Sequence, residues 1–146
     1  NDEKLCIINI ELNLNYIVLK GEGFSKELKL PATFQEIFKN ILSFASDVNF
    51  PYEKLSYYPV KQKLSDGHKK SILKDIHNII FSNLFFKYPN DINKVELYKK
   101  IWPLDKDIFI NKLDTHLTNL KNQIMKDLNY ELKFTTNSGK IKLIID

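Results

Sequence analysis

The sequence predicts an α+β chain in which a small N-terminal segment precedes a larger C-terminal unit. Three observations carry that expectation. Apolar residues recur at helical spacing in four stretches, near 34–45, 74–86, 93–102 and 108–128. Short β-rich runs lie before the first of these, between the first and second, and after the last. A loop-like stretch, Asp47-Val48-Asn49-Phe50-Pro51, separates two regions of opposite charge.

Each element has a local reason. Leu5–Leu12 and Tyr16–Lys20 are β-rich, with Asn13 and Asn15 between them, and Gly21-Glu22-Gly23 breaks the second. Pro31-Ala32-Thr33 opens a helix. Thr33 suits the N-cap, Glu36 completes a capping box, and Phe34, Ile37, Phe38, Ile41, Leu42 and Ala45 form the apolar stripe. Residues 47–51 read as a linker. Tyr52–Leu64 reads as one or two short strands interrupted by Pro59, and Ser65-Asp66-Gly67 as a turn. Helix 74–86 should bury Ile76, Ile79, Ile80, Leu84 and Phe85, and Pro89-Asn90-Asp91 ends it. Asn93 suits the next N-cap, with Glu96 at the box position, Val95, Leu97, Tyr98 and Ile101 inside, and Pro103 as the stop.

The long helix is expected over about 108–128. Leu113, Leu117, Leu120 and Ile124 fall within a stripe about 60° wide, which is the buried face. Asn111, Thr115, Thr118, Asn119 and Asn122 lie opposite, Asp114 and Lys121 flank one edge, and His116 the other. Amides and hydroxyls can read base edges, and asparagine can pair bidentately with adenine. An asparagine-rich chain would also decorate a merely solvated helix in this way. The last strands, 132–136 and 141–145, form a hairpin around Asn137-Ser138-Gly139-Lys140, a small polar tip with one lysine. Helix, loop, helix, hairpin is the order of a winged helix-turn-helix, in which the long helix enters the major groove of DNA.

Composition limits the alternatives. All 22 basic residues are lysine. Without arginine there is no bidentate guanidinium contact to guanine or phosphate, and each cation acts as a point charge. Residues 1–53 hold 5 Lys against 8 Asp/Glu, net −3, and residues 54–146 hold 17 against 10, net +7. A basic C-terminal part points to a polyanion partner. No apolar run approaches the ~20 residues of a membrane span, and the short run Leu5–Ile10, soon followed by Glu11, predicts no signal peptide. The single cysteine, Cys6, excludes an internal disulfide and is expected as a small buried residue in a cytoplasmic protein.

Catalysis is not expected. His68, His77 and His116 are far apart in sequence with no ligand-like spacing, so no metal is expected. His77, beside Asp75, reads as a solvated helix residue. Gly21-x-Gly23 lacks the third glycine and following helix of a dinucleotide loop, and no cofactor is implied.

Leu113-Asp114-Thr115-His116-Leu117-Thr118-Asn119-Leu120-Lys121 resembles the recognition helix of OmpR/PhoB-type response-regulator effector domains, written Val-Asp-Val-His-Ile-x-Arg-Leu-Arg. Val95–Trp102 resembles the preceding helix with its terminal tryptophan, and Thr136–Leu143 resembles the wing, Thr-x-x-Gly-Gly-Tyr-Arg-Leu. The likeness covers about 52–146. Asn119 and Lys121 stand where the family usually has arginine, Ile141 where it has tyrosine, and Lys140 where it has glycine.

That resemblance implies a four-stranded antiparallel sheet over about 52–72, then three helices and the C-terminal hairpin. It implies that Trp102, Asn111, His116 and Lys121 touch phosphates, and that Lys112, Thr115, Thr118 and Asn119 face the major groove. Thr136, Asn137, Ser138 and Lys140 would meet the neighbouring backbone or minor groove, and loop 103–109 would meet RNA polymerase. Lys29-Leu30-Pro31 and the helix after it resemble the end of a receiver domain, so 1–48 is expected as a partial receiver-like α/β segment with a homodimer face on 34–45. Without an acidic cluster or a phosphoacceptor aspartate in context, regulation by phosphorylation is not expected. The expected function is a two-component-type transcription regulator that binds double-stranded, A·T-rich DNA. The alternative is a protein-interaction module that keeps the fold and binds protein through the N-terminal helix or through the apolar loop Pro103-Leu104 to Ile108-Phe109.

Overall fold

The computed structural model of the chain describes residues 8–21 and 23–145. The expectation for Cys6 lies outside them. The chain divides into two compact units, Asn1–Val48 and Asn49–Asp146.

In the first unit, β1 (Asn9–Leu12), β2 (Tyr16–Gly21) and β3 (Phe24–Lys29) form an antiparallel meander in that order. Val18 on the central strand pairs with Glu11 on one side and Glu27 on the other. Ile17, Val18 and Leu19 are its buried residues. The strand β3 has no clean apolar alternation. It forms because the turn pairing Gly21 with Phe24, with Gly23 at φ +69°, folds it back on β2. That tight turn makes the neighbours antiparallel, so this segment corrects the expected α/β arrangement: the described strands have no parallel crossover. Helix α1 (Phe34–Asp47) begins with the capping box. The Glu36 amide donates to Thr33 Oγ1 at 3.2 Å and the Thr33 amide to Glu36 Oε2 at 2.8 Å. Phe44 stacks on Phe24 with ring centres 4.3 Å apart, while Phe34 and Phe38 are exposed.

The second unit opens with four antiparallel strands in sequence order, β4 (Phe50–Tyr52), β5 (Leu55–Tyr58), β6 (Lys63–Ser65) and β7 (Lys70–Ile72). Phe50 and Pro51 therefore belong to a strand and not to a linker, a correction whose cause is the buried Tyr52 beside them. Its ring meets Phe81, Phe85 and Tyr130 edge-on at 5.4, 6.1 and 5.8 Å. The turn at Asp66 is closed by its carboxylate, which accepts from the amides of His68 and Lys69 at 2.8 and 2.6 Å.

Helix α2 (Asp75–Lys87) buries His77, Ile80, Phe81, Leu84 and Phe85. Ile76 and Ile79 are only half-buried, contrary to expectation. The apolar residues of α2 are spread around the helix and not gathered in one stripe, so which face turns inward is decided by the sheet's aromatic residues. Tyr57, fully buried, packs 4.7 Å from Phe81 and donates its hydroxyl to Asn78 Oδ1 at 2.7 Å. Strand β8 (Ile92–Asn93) leads into α3 (Lys94–Ile101), whose first turn is capped by Asn93 Oδ1 accepting from the Val95 amide at 2.8 Å. Glu96 reaches forward to Lys100 at 3.2 Å, and Val95, expected inside, is exposed.

Helix α4 (Ile110–Leu128) starts two residues later than expected and buries Leu113, Leu117, Leu120, Ile124 and Leu128. Asn129 ends it in the left-handed conformation at φ 50°. The hairpin is β9 (Phe134–Asn137) and β10 (Lys140–Leu143), shorter than expected. Its two-residue turn has Ser138 at φ 47° and Gly139 at φ 74°, the type I′ geometry that matches strand twist. β10 is central in a three-stranded sheet, pairing with β9 and with β8 through Ile141 and Ile92. Leu97, Tyr98, Leu113, Leu120, Ile124, Ile141 and Leu143 join the aromatic residues in one core. Among the described residues no helix is long and apolar enough to cross a membrane.

Candidate nucleic-acid interface

The outward face of α4 carries Asn111, Thr115, Thr118, Asn119 and Asn122, all exposed. The helical period puts them along one side because the leucine stripe occupies the other. Both threonine hydroxyls turn back on the helix: Thr115 Oγ1 donates to the Asn111 carbonyl at 2.8 Å and Thr118 Oγ1 to the Asp114 carbonyl at 3.0 Å. Their protons are engaged, so outward they present methyl groups and acceptor lone pairs.

The charged residues at the edges of this face are mostly paired. Lys94 Nζ, on α3, lies 2.6 Å from Asp114 Oδ1. Lys112 Nζ lies 2.9 Å from Asp105 Oδ2 and 4.1 Å from the centre of the Trp102 ring. Tyr98 donates to the same Asp105 oxygen at 2.7 Å. The Tyr98 hydroxyl and the Lys112 ammonium hold the Asp105 carboxyl below its ordinary range. Lys112, expected in the groove, is thus tied to the loop that follows α3. Lys121 is different. Its ammonium stands 5.2 Å from the Phe134 ring, and among the described residues it forms no ion pair.

Trp102 caps the C-terminal end of α3, half-buried, with its ring 4.6 Å from Tyr98 and 5.5 Å from His116. His116 also meets His77 edge-on at 5.8 Å. The fold therefore joins two histidines that the sequence reading set apart. His77 is buried, correcting the solvated reading. Its Nδ1 lies 2.9 Å from Gln123 Oε1. Gln123 Nε2 donates to the Ile72 carbonyl at 2.6 Å and to Ser71 Oγ at 3.1 Å, and Ser71 Oγ donates to Asp127 at 2.7 Å. With the Gln123 amide nitrogen turned to a carbonyl, its oxygen must accept, so His77 Nδ1 carries the hydrogen. This chain ties α4 to α2 and to β7. His116 Nδ1 is buried without a hydrogen-bond partner. Burial, then His77 and Lys112, push its imidazole below the ordinary value, favouring the neutral ring.

At the hairpin, Thr136, Asn137, Ser138 and Lys140 are all exposed. Lys140 Nζ reaches Asp91 at 3.6 Å, and the Gly139 carbonyl accepts from the Lys94 amide at 2.9 Å, which joins the tip to the start of α3. Between α3 and α4, loop 103–109 holds Leu104, Ile108 and Phe109 out to solvent, Leu104 at 94% exposure. Nothing in local spacing signalled the Lys94–Asp114, Lys112–Asp105 or His77–Gln123 contacts.

No family model matches the chain. A stretch of 56 residues is 34% identical to the subtilin transport ATP-binding protein SpaT of Bacillus subtilis, covering 38% of this chain. The match spans only 9% of that protein's length.

Proposed function

We propose that the chain is a DNA-binding transcription regulator of the OmpR/PhoB winged-helix type, non-enzymatic and independent of phosphorylation. In this reading α4 enters the major groove and the β9–β10 hairpin is the wing on the adjacent backbone or minor groove. The observation that carries the reading is the amide- and hydroxyl-rich face of α4. Over Asn111, Thr115, Thr118, Asn119 and Asn122 it presents amides and threonines, and the nearest carboxylates, Asp114 and Asp105, are neutralised by Lys94 and Lys112. Amides and hydroxyls at these positions match the donors and acceptors of base edges in the major groove. Lys121 supplies a phosphate contact beside it, and Lys140 another at the hairpin, its exposed 3.6 Å pairing with Asp91 being loose enough to exchange for a phosphate. Loop 103–109 is the contact for RNA polymerase and the stripe 34–45 the homodimer face.

The ATP-binding role in the name of SpaT is not carried over. A phosphate loop needs Gly-x4-Gly-Lys-Ser/Thr, and the chain's four glycines, 21, 23, 67 and 139, form no such run.

A fluorescence-anisotropy titration with mixed-sequence duplex DNA at several salt concentrations tests the reading. Affinity whose logarithm falls linearly with the logarithm of salt supports it. No binding at low salt overturns it in favour of the second reading, a protein-interaction module. The exposed Leu104, Ile108 and Phe109 are the observation that favours that alternative.

A further inference from the structure

We propose that the α4 face recognises thymine C5-methyl groups through the methyls of Thr115 and Thr118, so that the DNA it selects is defined by thymine and not only by A·T pairing. This rests on the DNA-binding reading and names the chemical group that the interface reads.

A threonine can meet a base edge with its hydroxyl or with its methyl. Here the choice is made by the helix itself, because both hydroxyl protons are engaged by the carbonyls four residues back. Approaching bases therefore meet two methyls beside hydroxyl oxygens that can only accept, and three residues of separation put the two Cβ atoms about 5–6 Å apart on one face. That spacing suits the pyrimidines of neighbouring base pairs. Around the two threonines the nearest ammoniums are engaged, and the exposed Lys126 on the same side lies about two turns beyond Thr118. Lys112 is held by Asp105 and Trp102, and Lys94 is held by Asp114. Met125, exposed further along the same side, extends the apolar character. Asn111 and Asn119, flanking the threonines, offer amides to the adenines opposite. In the major groove only thymine among the four DNA bases carries a methyl.

The test compares full-chain binding to pools of A·T duplexes made with thymine and identical pools made with uracil, which lacks only that methyl. Thymine duplexes are expected to bind about fourfold more tightly for each methyl contact, roughly 15-fold for two. Thr115→Ser with Thr118→Ser keeps the hydroxyls and removes the methyls, and is expected to bind both pools alike. Thr115→Val with Thr118→Val keeps the methyls and is expected to retain the discrimination. Thermal melting of each variant checks that it remains folded. Equal binding of both pools by the wild-type chain overturns the proposal while leaving the DNA-binding reading intact. Discrimination kept by the serine variant and lost by the valine variant assigns readout to the hydroxyls and also overturns it. No binding to either pool at low salt overturns the DNA-binding reading itself.

Discussion

The ammonium of Lys94, the first residue of α3, lies 2.6 Å from the carboxylate of Asp114 on α4. The Lys94 side chain is 12% exposed and that of Asp114 44%, so the pair is anchored on the lysine side and open to water on the carboxylate side. It removes a negative charge from the edge of the face that would meet DNA, and does so from a neighbouring helix. A feature that looks hostile to DNA in the sequence, an acidic residue amid the readout positions, is silent in the fold.

Lys94→Met leaves Asp114 unpaired beside the DNA face. DNA affinity is expected to fall by about 1 kcal/mol, chiefly through slower association. Adding Asp114→Asn should restore it. Stopped-flow binding of the single and double variants checks this, and a double variant as weak as the single would show that Lys94 itself contacts DNA.

Lys112 and Lys121, two of the three lysines on α4, should behave differently. Lys121, without an ion-pair partner among the described residues, is expected to act on phosphate: Lys121→Ala weakens binding about equally on all sequences and lowers the salt slope by about 1. Lys112 is already engaged by Asp105 and Trp102. Lys112→Ala should leave the slope unchanged and loosen the 102–109 loop, seen as faster amide exchange there. Equal slopes for the two variants would contradict this division.

Stability should weaken in mild acid because of His116. Burial, His77 and Lys112 lower its pKa from the ordinary 6.5. The unfolded chain therefore takes up a proton at higher pH than the folded one. The contribution of the neutral ring is fully present above about pH 6.5 and is lost as pH falls through the depressed folded value. The melting temperature is expected to drop as pH falls below about 6.5, and His116→Gln should flatten that part of the profile. An unchanged profile in the variant would assign the drop to other groups.

Gln123 links β7, α2 and α4 through Ile72, Ser71 and His77. Gln123→Ala leaves the His77 donor and the Ile72 carbonyl without this partner, at a cost of about 1–3 kcal/mol. Urea denaturation measures it. A loss below about 0.5 kcal/mol would mean that water replaces the amide.

By itself the sequence determined what depends on neighbours along the chain. The four helices follow from apolar spacing, the start of α1 from the Thr33–Glu36 box, and the hairpin from Asn137-Ser138-Gly139. The outward residues of α4 follow from the leucines on its other side. These rules act over three or four residues, within reach of backbone geometry alone. Only the tertiary structure decided β3, β4 and β8, which exist because a partner strand lies beside them. It also turned Phe81 inward and left Ile76 and Ile79 half-buried, because Tyr52 and Tyr57 wait on the sheet. The same holds for the charges and the histidines. Lys94 meets Asp114 from 20 residues away and His77 meets Gln123 from 46. Whether a lysine is free for phosphate or held by a carboxylate is a matter of distances of a few ångströms in space, and sequence separation does not encode them.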